Sequence, residues 1–325
     1  MIEQVNNFLR EAIVLHSSYD RALSALKELL QVARGTEGTV IPLLGPTRCG
    51  KTEVLKQLKS HIEEVRSGPG YLMPTTDFAL GIVPPKPNDR DLYAAMLTAV
   101  GLRACTKERT CLLRERLVRT IQDQDIKIIA LDEASHCMER GANLSERAAA
   151  DHFKTVVDAT QITLILSGLP KLRGLIDGNE QLRDRALKWV SLLPYAWSSE
   201  DGRTDFNSAF QAAVRIMQKA GARIEFDADY MVRRIYGATG GRVGVMLRIL
   251  TASVSASRNA SLSFTDLRKG ALAAVQCGMA PDSFFREEQP SDLALVRSYV
   301  KIMQDAGLDV EATNIHDFAA LKVPA

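Results

Sequence analysis

Eight consecutive residues, Gly45-Pro46-Thr47-Arg48-Cys49-Gly50-Lys51-Thr52, match the pattern G-x-x-x-x-G-K-[ST] without a gap. Such a run holds phosphate. Its glycines let the backbone turn so that successive N–H groups face one point, and a helix N-terminus behind them adds its dipole. Apolar residues at 40–44 lead into the loop, and a helix-like stretch, 53–58, leads out of it. The expected ligand is ATP with Mg²⁺. Residues 45–52, with Glu53 beside them, form the binding set; Lys51 contacts the β and γ phosphates and Thr52 the metal.

A second group follows at Ile128-Ile129-Ala130-Leu131-Asp132-Glu133. Four apolar residues read as a buried strand, and two acids stand at its carboxyl end, where α/β sheets place ligands. Asp132 would complete the Mg²⁺ shell beside the Thr52 hydroxyl. Glu133 can orient and deprotonate an attacking water, which favours hydrolysis over nucleotide sensing alone.

The elements that must position these groups alternate. Strands are expected at 39–44, 71–76, 126–131, 162–167 and 189–193, with helices between them at 53–65, 89–100, 111–121 and 145–159. Pro84, Pro85 and Pro87 make 83–87 a loop. That alternation predicts an α/β fold with a five-stranded parallel sheet and flanking helices. Beyond 204 the pattern is helical, at 206–220, 227–236, 244–257 and 265–277, with no convincing buried strand. Leu23, Leu26, Leu29 and Leu30 follow helical spacing after Ser17 and Ser18. The expected organisation is an N-terminal helical segment (1–36), a nucleotide-binding domain (37–203), a helical lid (204–280) and an acidic tail (281–325).

The 325 residues suffice for one large or two smaller cores. No apolar run approaches a bilayer span and no signal-peptide pattern opens the chain, so a cytoplasmic location without membrane contact is expected. Five scattered cysteines without a C-x-x-C pair read as ordinary thiols, and Cys105, Cys111, His136 and Cys137 fit no standard zinc template. Net charge is only +2, but its distribution is uneven. Between 103 and 119 six bases (Arg103, Lys107, Arg109, Arg114, Arg116, Arg119) face two acids. Between 230 and 264 five arginines (Arg233, Arg234, Arg242, Arg248, Arg258) meet none, and from 282 onward eight acids face four bases. Two basic segments and an acidic tail suit partial contact with a polyanion, and solvated helix faces are the plainer reading.

These motifs resemble the AAA+ branch of P-loop ATPases over about residues 20–275. The resemblance implies that Ser167, in Ile165-Leu166-Ser167-Gly168, contacts the γ-phosphate, although Asn or Thr is commoner there. It implies an arginine acting on a neighbouring subunit's nucleotide, Arg185 in preference to Arg183. It also makes Arg242, in Thr239-Gly240-Gly241-Arg242, a lid residue near the phosphates. Within that branch, Leu131-Asp132-Glu133-Ala134-Ser135-His136, Ser167-Gly168-Leu169-Pro170, Gln181-Leu182-x-x-Arg185 and Tyr19-Asp20-Arg21-Ala22-Leu23 resemble the TnsC/TniB-type transposition regulators of Tn7-like elements. Those proteins form ATP-bound rings or helical filaments on duplex DNA and link a target-selection protein to the transposase, and hydrolysis resets the assembly. For this chain the resemblance implies sequence-independent DNA contact through 103–119, with Arg103, Lys107, Arg109 and Thr110 as candidates. The acidic tail, which ends in 315–318, is a candidate partner-binding segment, with a disordered solvating tail as the equal alternative. A helicase loader or replication-initiation ATPase shares the same core and is the alternative. A scaffold that binds nucleotide without hydrolysis is disfavoured by Glu133.

Overall fold

Five short apolar runs become strands: β1 (Thr39–Leu44), β2 (Phe78–Ile82), β3 (Ile128–Asp132), β4 (Thr163–Gly168) and β5 (Val190–Ser191). All pair in parallel, in the order β2-β3-β4-β1-β5. Every residue of β1, β3 and β4 is buried, as near-continuous apolar runs covered on both faces require. The register puts Leu44 beside Gly168 and Ile82 beside Asp132, so the chemical residues gather at the carboxyl ends of neighbouring strands.

The structure is a computed structural model and describes residues 2–11, 16–66, 77–105, 107–139, 141, 143–257, 260–276 and 278–310. The chain falls into two compact units: Arg21–Gly45 with Lys51–Leu192, and Met1–Asp20 with Pro46–Gly50 and Leu193–Ala325. The sheet unit has its core between the strands and the helices Asp89–Ala99, Thr110–Asp123 and Glu146–Thr160, through Tyr93, Leu117, Phe153 and their neighbours. The strand expected at 71–76 lies outside the described residues. The second strand of the sheet is instead Phe78–Ile82, running directly into the proline loop. Gly81 makes this possible, because a Cβ there would stand 2.9 Å from the Ala99 methyl; the helix Asp89–Ala99 lies too close for a larger residue.

The helical unit is built on Glu200–Lys219, Ala228–Thr239, Val243–Ala256 and Phe264–Ala274, with Ile2–Glu11 adding Val5 and Leu9 to the same core. Ser199, Asp227 and Ser263 cap three of these helices through side-chain bonds to backbone N–H groups. A two-residue parallel pair, β6 (Arg223–Ile224) with β7 (Ser261–Leu262), appears where no strand was expected.

Charge alone misreads two segments. The acidic segment beyond 281 is not simply a solvated tail. The helix Asp292–Asp305, capped by Ser291, buries Leu295, Val296, Val300 and Met303 in the helical core. Residues 315–318 lie outside the described residues. The arginines at 233 and 234 are not a polyanion surface either. Arg234 is fully buried and donates to the carbonyls of Phe284 (2.8 Å), Arg286 (2.6 Å) and Glu287 (3.1 Å) and to the Tyr230 hydroxyl (2.7 Å). Arg233 donates to Pro290 O and pairs with Asp292, whose carboxyl is held below its usual range by the Trp197 indole N–H and then by Arg233. These guanidinium groups bind the chain's own backbone. No helix among the described residues is long and apolar enough to cross a membrane.

Candidate nucleotide site

The loop begins where β1 ends. Gly45 N–H donates to Gly168 O at the end of β4 (3.1 Å), and a Cβ on Gly45 would lie 2.2 Å from the Leu192 carbonyl oxygen. Only glycine fits that approach. Arg48 (φ 65°) and Gly50 (φ 100°) take left-handed conformations that turn the chain into the helix Lys51–Arg66. The first amides of that helix have no partner in a preceding turn, which is the usual origin of an anion site. Lys51 is 7% exposed, and its Nζ donates to Gly45 O (2.8 Å), curled over the loop it serves.

Asp132, at the end of β3, is the hub of the sheet side. It is 3% exposed, and three donors reach its carboxylate. Oδ2 accepts from the Thr52 hydroxyl (2.5 Å), while Oδ1 accepts from the Ser167 hydroxyl (2.7 Å) and from Glu133 N–H (2.9 Å). The structure thus joins Thr52, Asp132 and Ser167, residues far apart in sequence, through one carboxylate. The adjoining Thr52 and Asp132 oxygens are hard donors of the kind Mg²⁺ takes, with few protein ligands and the remainder left to phosphate and water. Glu133 follows in a left-handed conformation (φ 55°, ψ 29°) that opens the 3₁₀ turn Ala134–Met138. Gly168 packs on that turn, since a Cβ there would meet Ser135 N at 2.9 Å.

Arg242 belongs to the helical unit. It is 5% exposed, stands at the N-cap of Val243–Ala256, and donates from Nε to Thr239 O (2.9 Å). Two residues on, Gly244 meets the phosphate loop directly, because its Cβ would lie 2.4 Å from Arg48 O. The loop residues and the arginine-capped helix are therefore neighbours in one unit.

The two arginine candidates behave differently. Arg185 is half-buried and paired through Nε to Asp158, whose carboxyl is held below its usual range by hydrogen bonds from Arg185 and Lys154 against the opposing effect of burial. Arg183 is exposed and lines a 340 Å³ groove with Arg173, Lys188 and Trp189; Arg173 stacks on the Trp189 ring at 3.9 Å. Periodicity gave no sign of this groove, which is built from residues on both sides of the helix Glu180–Arg183, up to the start of β5. Among the DNA candidates, Arg103, Lys107 and Arg109 are exposed and Thr110 starts the helix Thr110–Asp123. The rest of that basic stretch is partly spent internally: Arg116 faces Glu108 (3.5 Å) and donates to Arg103 O (2.7 Å), and Arg119 pairs with Glu115 (3.2 Å).

The profile of the bacterial TniB protein family matches residues 4–192, more than half of the chain and including every sheet-side residue above. The chain belongs to the TniB family. No curated protein matches it. Among solved structures it is similar to the Aeropyrum pernix ORC1 protein in complex with DNA (17% identity, TM-score 0.61, covering 82% of this chain and 68% of that one). It is also similar to Cdc6p from Pyrobaculum aerophilum (14% identity, TM-score 0.60, covering 95% and 86%) and to the Aeropyrum pernix ORC2 protein in its ADPNP-ADP complexes (14%, TM-score 0.57, covering 81% and 69%). At such identities the likeness establishes the fold, that of the AAA+ ATPases, as the motifs led us to expect.

Proposed function

We propose that this TniB-family chain is an Mg²⁺-dependent ATPase that regulates DNA transposition by assembling on target DNA. The observation that carries the enzymatic part is the Asp132 carboxylate, bonded at once to the Thr52 and Ser167 hydroxyls with Glu133 next in the chain. In this reading Gly50 and Lys51 bind the phosphates, Thr52 and Asp132 hold Mg²⁺, and Ser167 and Arg242 sense the γ-phosphate. Glu133 takes the proton of the attacking water. The metal, when bound, neutralises charge on the β and γ oxygens. Arg185 or Arg183 offsets transition-state charge on the nucleotide of a neighbouring subunit, so hydrolysis depends on assembly. Arg185 would first have to leave Asp158, whereas Arg183 starts exposed.

Lys107, Arg109, Arg103 and Thr110 contact DNA phosphates without regard to sequence, which suits a protein loaded wherever a selector directs it. A target-selection protein and a transposase are the partners. The family match supports this assignment, and the fold shared with ORC1 and Cdc6p keeps a replication-initiation ATPase as the second reading. The enzymatic part is tested by Glu133→Gln in a steady-state phosphate-release assay. Hydrolysis should fall to background while ATP still binds; undiminished turnover would refute the role of Glu133. Transposase and target-selector genes beside this one would favour transposition, and replication genes there would favour the second reading.

A further inference from the structure

Glu133 is a non-glycine residue in the left-handed region (φ 55°), a strained conformation that persists only where its surroundings enforce it. The enforcing contacts form a closed circuit. Val83 N–H donates to Asp132 O (3.0 Å), and His136 N–H donates to Glu133 O (3.0 Å). His136 Nδ1 lies 2.8 Å from Val83 O. Because a carbonyl oxygen only accepts, Nδ1 carries the proton, and Nε2 is turned towards Glu139 Oε1 at 3.6 Å.

The acceptor is firmly set. Val83 is fully buried, and Pro84 behind it restricts its backbone to extended conformations. On the other side of the turn, Gly168 admits Ser135 to a distance that no side chain would allow. The turn bearing Glu133 is thus gripped between the ends of β2 and β4; on the β2 side Val83 N–H holds Asp132 O, and the imidazole N–H is the side-chain contact that holds the turn itself.

We propose that His136 is a positioning residue for Glu133, fixing the carboxylate by tying its turn to the Val83 carbonyl. This rests on the reading of Glu133 as the water-activating group. Loss of the donor lets Glu133 relax from the left-handed region and moves its carboxylate, and misplacement by about 1 Å costs on the order of 10²-fold in rate. Nucleotide binding, which uses the phosphate loop, is left in place.

The test is steady-state ATP hydrolysis by H136F, H136A and H136N beside the wild type, with ATP-analogue binding and thermal melting measured on each. H136F keeps the ring without the donor, H136A serves where H136F does not fold, and the H136N amide can put an N–H near the Nδ1 position. The expected result is a kcat lowered about 10–100-fold in H136F and H136A with KM changed less than about 3-fold, largely restored in H136N. Wild-type kcat in H136A, or H136N as impaired as H136A, would overturn the proposal. If E133Q itself hydrolyses ATP normally, the underlying reading falls as well; if E133Q is dead and the His136 variants are normal, only this inference falls.

Discussion

Gly45→Ala isolates the closest backbone approach in the site. The new Cβ would stand 2.2 Å from Leu192 O, about 1 Å inside the ~3.3 Å that a carbon–oxygen contact tolerates. Both sides are backbone, so relief requires the chain at Leu192 to move. That motion breaks the bond from Leu192 N–H to Leu44 O (2.8 Å), which holds the chain leaving β5 against β1. Losing the bond costs about 0.5–1.5 kcal/mol, and forcing a methyl into a packed site costs about 1–3 kcal/mol more. The sum, about 1.5–4.5 kcal/mol, corresponds to a melting temperature lowered by about 3–18 °C for a unit of this size. Gly35→Ala is the matched control: its Cβ would meet nothing nearer than Val32 O at 3.7 Å. It should be neutral or stabilising by up to about 1 kcal/mol. Thermal unfolding followed by circular dichroism reads both. A G45A variant melting within about 1 °C of G35A would refute the placement of Leu192 over the loop.

Three further outcomes follow from the same geometry. Arg234→Met should leave the carbonyls of Phe284 and Arg286 without their donor and Glu287 O with only the Tyr230 hydroxyl, at a cost on the order of 3 kcal/mol; limited proteolysis should then cut within 284–291, and unchanged resistance would contradict the clamp. Asp158 is depressed from 3.8 in the folded state, so its pair with Arg185 stabilises fully above that pH and is lost as pH falls through the lower folded value. The urea-midpoint gap between wild type and D158N should therefore be constant from about pH 5 to 8 and close in stronger acid; a gap that widens in acid would reverse the sign. Neutralising Lys107 and Arg109 together should weaken binding to any duplex and lower the slope of log K against log salt by about 2; an unchanged slope would move the DNA contact elsewhere.

The legible parts of this site were those written locally. The phosphate loop and the Asp132-Glu133 pair sit in continuous stretches whose flanking apolar runs declare buried strands, and β1, β3 and β4 lie close to where those runs place them. β2 was harder: Phe78–Ile82 contains a glycine and abuts the prolines of 83–87, and the close approach of the Ala99 methyl to Gly81 is written in no local pattern. The acidic count beyond 281 masked the helical spacing of Leu295, Val296, Tyr299 and Met303, which is what buries that segment. Arg234 looked like surface charge because its partners are backbone carbonyls about fifty residues away, which no local pattern encodes. The tether from His136 to Val83 spans a similar gap, 53 residues, and ends on a carbonyl that every residue type possesses.

Negative-stain electron microscopy of the chain with random-sequence duplex reads ATP-dependent assembly on DNA of any sequence. Samples would contain Mg²⁺ with ATP or with ADP, and the E133Q variant would be included to hold the ATP state. Rings or filaments should form on the duplex with ATP, longest-lived in E133Q and absent with ADP. Isolated protomers in every nucleotide state, or assemblies indifferent to DNA, would contradict it.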